Sequence, residues 1–140
     1  MKNLKIGIIG AMNEEVVELT AMIEDRRTRL VAGMTFNEGR IKGRDVVVVE
    51  CGIAKVNAAM CTQILISEFW VGALINTGVA GALNENLNIN DLVISTDAIQ
   101  YDVDASSLGD PKGTIPRMKT SVFVADSRLV DVAYESFLEE

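Results

Sequence analysis

The residues of this chain best suited to chemistry are carboxylates. Glu14 and Glu15 end the stretch Gly10-Ala11-Met12-Asn13-Glu14-Glu15, and Asp102 and Asp104 share Tyr101-Asp102-Val103-Asp104. A carboxylate can take a proton from water or stabilise a developing cation. The chain has no histidine. Ser-His-Asp and Cys-His mechanisms, and His-ligated zinc, are therefore excluded within it. Acid–base work falls to carboxylates, Lys, Tyr or Cys. Asp102 and Asp104 could begin a metal site, but no further oxygen ligands follow at calcium-loop spacing. They read as solvated loop charges or helix caps, and neither metal nor cofactor is expected. Cys51 and Cys61 stand among apolar residues without metal-ligand spacing. They read as buried, reduced thiols in a cytoplasmic protein.

These side chains need elements to position them. Residues 4–9 form a short apolar run with β-branched members, ended by Gly10, and predict a buried strand. Apolar spacing over 13–25, with Asn13, Glu14 and Glu15 at the start, predicts a helix. Residues 30–32, 35–41 and 45–50 read as a strand meander, turned at Gly33 and at Lys42-Gly43-Arg44. Residues 54–68 predict a largely buried helix, Ala73–Asn76 a strand, and 91–99 another. Residues 100–117 hold both prolines and read as a long loop, a kind of segment that is often functional. A short strand at 122–125 follows. Asp126 is placed to N-cap a last helix with Leu129, Val130, Ala133 and Phe137 on one face.

The alternation predicts one α/β domain over residues 1–140, with a mixed central sheet flanked by helices. No strand follows the last helix, so the fold is expected to be incomplete at its C-terminal end. Three small-residue turns follow strands: Gly10 to Glu15, Glu50-Cys51-Gly52-Ile53-Ala54-Lys55-Val56-Asn57, and Ile75-Asn76-Thr77-Gly78-Val79-Ala80-Gly81. Ligands of open α/β sheets bind beyond the C-terminal strand ends, so the three together predict a pocket. None is a dinucleotide fingerprint. Taken alone, Glu15 reads as a dipole-favouring charge in a first helical turn.

Composition narrows the partners. With 140 residues, 49% of them hydrophobic, the chain can bury a core, and its net charge is −7. Nucleic acid and anionic membranes call for clustered Lys and Arg, so neither is expected. No apolar run is long enough to cross a bilayer. Met1-Lys2-Asn3-Leu4-Lys5-Ile6-Gly7 runs straight into the first strand and reads as mature protein, not a signal peptide.

Four ordered blocks carry a resemblance: residues 6–15, Cys51-Gly52-Ile53-Ala54-Lys55-Val56, Asn76-Thr77-Gly78-Val79-Ala80-Gly81, and Asn90-Asp91-Leu92-Val93-Ile94-Ser95 running into Asp102-Val103-Asp104. Together they resemble the N-terminal portion of the 5′-methylthioadenosine/S-adenosylhomocysteine nucleosidases, within the purine nucleoside phosphorylase fold. The resemblance implies hydrolysis of an N-glycosidic bond, with adenine as leaving group. By position it implies that Glu15 orients and activates the attacking water. Met12 and Ile53 would pack around a nucleoside substrate, with Gly78 and Val79 beside the ribose. Many members carry Ser at position 79, so Val leaves substrate preference open. The resemblance also implies a homodimer in which Ala105, Leu108 and Pro116 reach the neighbouring subunit's pocket.

The resemblance implies two later elements that no residue here matches. One is a glutamate that binds the ribose hydroxyls. The other is an aspartate that protonates adenine at N7. Asp102 and Asp104 match the interface loop and are no substitute. The chain alone is therefore expected to be inactive, as an N-terminal part of a longer enzyme. Two rivals remain. A nucleoside phosphorylase would need cations for phosphate, and residues 10–15 hold no Arg or Lys. A noncatalytic nucleoside-binding or oligomerisation module is the other.

Overall fold

The computed structural model describes residues 4–138. The start and end of the chain, 1–3 and 139–140, including part of the stretch read as mature protein, lie outside the described residues. The chain gathers into two compact units, one ending at Gly81 and the other beginning at Ala82.

The first unit holds strand β1 (Ile6–Gly10), helix α1 (Asn13–Ala21), strands β2 (Glu24–Val31), β3 (Met34–Ile41) and β4 (Arg44–Glu50), helix α2 (Lys55–Phe69) and strand β5 (Ala73–Asn76). The strands form one mixed sheet in the order β2-β3-β4-β1-β5. The β2-β3-β4 meander is antiparallel, while β1 pairs parallel with both β4 and β5. Side chains alternate across the sheet with period 2, and this divides the core. Val46 and Val48 face Val16 and Ile23 on one side, with Ile6 and Ile8 packed against them. Ile9, Phe36, Val47 and Val49 join Cys61, Leu65 and Phe69 of α2 on the other. Phe36 and Phe69 stack with ring centroids 4.8 Å apart, and the Arg29 guanidinium lies over the Phe69 ring.

Three expected elements change in this unit, one of them the strand expected over 30–32, which is the eight-residue β2. The first helix ends at Ala21, not 25, and β2 begins at Glu24. Met22 and Ile23 continue the helical spacing, but Ile23 turns into the core. Asp25 has φ 53° beside a register shift between Glu24 and Arg27. The second helix is not largely buried. It buries the stripe Cys61, Leu65 and Phe69, while Val56, Met60 and Ile66 are exposed. One face meets the sheet; the other is exposed.

The second unit holds β6 (Asp97–Ile99), a single 3₁₀ turn (Ser106–Leu108), β7 (Val122–Val124) and helix α3 (Ser127–Leu138). β6 and β7 pair antiparallel. The strand expected over 91–99 shrinks to its last three residues. A strand needs a partner ladder, and Leu92 and Val93 have none among the described residues and are exposed. Asp126 caps α3 as expected, with Oδ1 accepting from the Arg128 amide at 3.0 Å. The expected apolar face of α3 buries none of its residues. Asp104 serves the 3₁₀ turn, accepting from the Ser106 amide at 3.1 Å and the Ser106 hydroxyl at 2.6 Å.

Candidate active site

Parallel pairing brings the three small-residue turns to one end of the sheet. Gly10 aligns with Glu50 and Ile9 with Asn76. The ladder continues into the turns, where the Cys51 amide donates to the Gly10 carbonyl at 2.9 Å and the Thr77 amide to the Ile9 carbonyl at 2.9 Å. From β1 the chain leaves through α1 toward the meander, while from β4 it crosses through α2 to β5. The end of β1 is thus a point where connections diverge, the usual ligand position of an open α/β sheet.

Glu15 is fixed there. Its Oε2 accepts from the Ala11 amide at 2.6 Å and the Met12 amide at 3.1 Å. Its Oε1 accepts from the Val79 amide at 3.0 Å, 64 residues away in sequence. The Met12 contact is what a third-position glutamate does for its own helix start. The Val79 contact is not, since a cap needs no donor from another strand end. The Val79 amide, followed by those of Met12 and Ala11, holds the Glu15 carboxyl below its ordinary range against the opposing effect of desolvation. Hydrogen bonds to the charged form favour ionisation. The result is a carboxylate ionised at neutral pH, suited to a base or a cation stabiliser.

Glycines make the room. A Cβ on Gly78 would stand 2.5 Å from Glu15 Oε1 and 2.7 Å from Cδ. A Cβ on Gly10 would meet Val16 Cγ1 at 2.5 Å and Glu15 Cβ at 3.1 Å. Gly78, expected beside a ribose, is therefore also the residue that lets the β5 turn close on Glu15.

A groove of about 550 Å³ opens between the β1–α1 and β4–α2 turns. Met12 and Ile53 line it together, with Ala11, Asn13, Glu14, Glu50, Gly52 and Asn57. Its lining holds two carboxylates and no Lys or Arg. Glu15, Gly78 and Val79 do not line it; they form the adjoining hydrogen-bonded cluster. The Val79 side chain is exposed, and its working group is the backbone amide. Ala105, Leu108 and Pro116 lie in the second unit. Ala105 is buried within its own chain, Leu108 is exposed and Pro116 half-buried. Glu50 and Asn57 also line the groove, although in the sequence they stand out only as the two ends of a small-residue turn. Among the described residues no cluster of His, Cys, Asp and Glu could hold a metal ion, and no helix is long and apolar enough to cross a membrane.

A family model described as the phosphorylase superfamily matches residues 5–140. The chain belongs to the phosphorylase superfamily. Within it, the chain is 43% identical over 133 residues to a 5′-methylthioadenosine/S-adenosylhomocysteine nucleosidase of Geobacillus sp. (strain WCH70), covering 95% of this chain and 57% of that protein. Among solved structures it is similar to the nucleosidase of Colwellia psychrerythraea 34H in complex with adenine (TM-score 0.91, 39% identity, 96% of this chain and 55% of the other). It is also similar to the Streptococcus pneumoniae nucleosidase with a transition-state inhibitor (TM-score 0.89, 39% identity, 95% and 57%). The nucleoside phosphorylase-like α/β fold expected from sequence is borne out by this superfamily membership. The chain spans a little over half the length of these relatives.

Proposed function

We propose that this chain supplies the water-activating half of a nucleosidase that cleaves the N-glycosidic bond of 5′-methylthioadenosine or S-adenosylhomocysteine and releases adenine. The observation that carries the proposal is the Glu15 carboxylate, kept ionised by backbone amides from two strand ends. A fixed anion at that place can hold water, take its proton and oppose the positive charge that grows on a ribosyl ring as adenine leaves. The groove beside it offers Met12 and Ile53 as apolar walls for the nucleoside, with Gly78 and Val79 at the ribose side.

Water is favoured over phosphate as nucleophile because the groove carries Glu14 and Glu50 and no cation. A phosphate dianion there would be desolvated without a counter-charge. Protonation of adenine falls to a residue that this chain does not match. The chain alone is therefore expected to release little adenine. No cofactor is called for. One family model spans both compact units, which supports counting them as a single domain. The two free, buried cysteines fit a reducing cytoplasmic setting. A homodimer is the expected assembly. Leu108 is an exposed apolar residue fit for a neighbouring subunit, whereas buried Ala105 would act only by shaping the loop.

Adenine release from 5′-methylthioadenosine, with and without phosphate, tests the proposal. It is run on this chain and on a chimera joining the chain to the remainder of the Geobacillus relative. The chimera should release adenine without phosphate; release only with phosphate would make it a phosphorylase. Release by the chain alone would overturn the assignment of the acid to another segment. Heat stabilisation by the nucleoside with no release from the chimera would favour a binding module.

A further inference from the structure

Ala54 has φ 83° and ψ 160°. That backbone region is essentially restricted to glycine, because a Cβ there crowds the neighbouring backbone, and a residue persists in it only when its surroundings over-determine it. The surroundings do so here. The Cys51 amide anchors the turn to the Gly10 carbonyl at 2.9 Å. The Cys51 thiol donates to the Gly52 carbonyl at 3.1 Å. The Asn57 side-chain amide donates to the Ile53 carbonyl at 2.7 Å. The Ala58 amide donates to the Ala54 carbonyl at 3.2 Å. Every carbonyl of the turn from Gly52 to Ala54 thus has a donor, and the Asn57 donor sits on the peptide whose rotation would relax Ala54.

We propose that Asn57 is a positioning residue of the groove: its amide clasps the strained Ile53–Ala54 peptide and so fixes Ile53, which lines the groove. Gly52 leaves the clasp its space, since a Cβ there would stand 3.0 Å from Asn57 Nδ2. Without the clasp, Ala54 gains by rotating to an ordinary negative φ. The Ile53 carbonyl then turns away and the side chain follows. With glycine at position 54 that gain vanishes, because glycine holds φ 83° without strain. The functional meaning rests on the reading that this groove receives the nucleoside; the mechanics do not.

A double-mutant cycle on this chain tests the inference, with unfolding temperature and NMR signals of Ile53 as readouts. Ala54→Gly should raise Tm by about a few degrees and leave the Ile53 signals near their wild-type positions. Asn57→Ala should lower Tm and shift or broaden the Ile53 signals. In the Ala54→Gly background, Asn57→Ala should move both by less than half as much. Additive effects, or an unchanged or lower Tm for Ala54→Gly, would overturn the clasp. No nucleoside enters these measurements, so their failure is separable from failure of the nucleosidase proposal, which adenine release tests.

Discussion

The Val79 amide donates to Glu15 Oε1 at 3.0 Å, and this bond ties the end of β5 to the start of α1. The position that lacks a side-chain hydroxyl thus still serves the carboxylate through its backbone. Val79→Ser should keep the bond and leave Tm close to wild type, since the exposed side chain packs against little. Val79→Pro removes the donor and should lower Tm clearly. Thermal unfolding of both variants decides the matter. Equal loss in the two would mean that the side chain, not the amide, is what the site uses.

Gly78→Ala should be more damaging than a loop substitution ordinarily is. The new methyl would occupy space 2.5 Å from Glu15 Oε1, so either the carboxylate or the turn must move. In the chimera described above, adenine release should fall by roughly a hundred-fold or more, the lower end of what a positioned general base contributes. Glu15→Gln should lose on the order of a hundred- to ten-thousand-fold, because the amide cannot take the proton. A Gly78→Ala variant as active as its parent would show that Glu15 does not need its present orientation.

Acid should weaken the chain in a defined window. Glu15, Asp104 and Asp126 all have carboxyl groups held below their ordinary values. Backbone amides, Val79 first, act on Glu15; the Ser106 hydroxyl leads at Asp104; and Arg128 leads at Asp126, which falls to about 2. A depressed carboxyl contributes stability that is present above its unfolded pKa and lost as pH falls through its folded one. Urea midpoints should therefore hold steady down to about 4.5, the ordinary Glu value, and decline below it. The decline from 3.8 toward 2 should flatten in Asp126→Asn, which cannot titrate. An unchanged slope in that variant would show that Asp126 carries little of the folded state's acid sensitivity.

Much of the first unit could be read from residue types, because its signals are local. Ala73–Asn76 has the bounds its apolar run suggests, and Gly10 ends β1 where a turn is needed. β2 was largely hidden. Its residues Glu24 to Leu30 are all exposed, so no alternation marks it as a strand, and Met22 and Ile23 extend the helical spacing into it. Residues 92–95 failed in the opposite sense: their composition suits a strand, but strand formation depends on a partner that spacing cannot supply. At the site, Glu15 stood out only through the four-block resemblance. The Val79 amide could not stand out, since a backbone donor has no residue type. Asn57 was one amide in a marked turn, and its value depends on the positive φ of Ala54, which an alanine does not advertise.

Cys61 and Leu65 offer a test of the α2 packing. Both are fully buried against the sheet, and burial, with a smaller effect of Cys51, pushes the Cys61 thiol up to about 12. The thiolate is the reactive form, so Cys61 should resist alkylation at neutral pH in the folded chain and react at once in denaturant. Leu65→Ala should cost about 2–5 kcal/mol by lost burial and residual cavity, read from urea unfolding. It should also speed Cys61 labelling in the native buffer, because the two side chains belong to one packed stripe. Rapid labelling of Cys61 in the unmodified chain would mean that α2 opens from the sheet far more readily than its packing implies. In that case the turn carrying Ile53 and Asn57 would lose its anchor as well, since α2 is the element that turn begins.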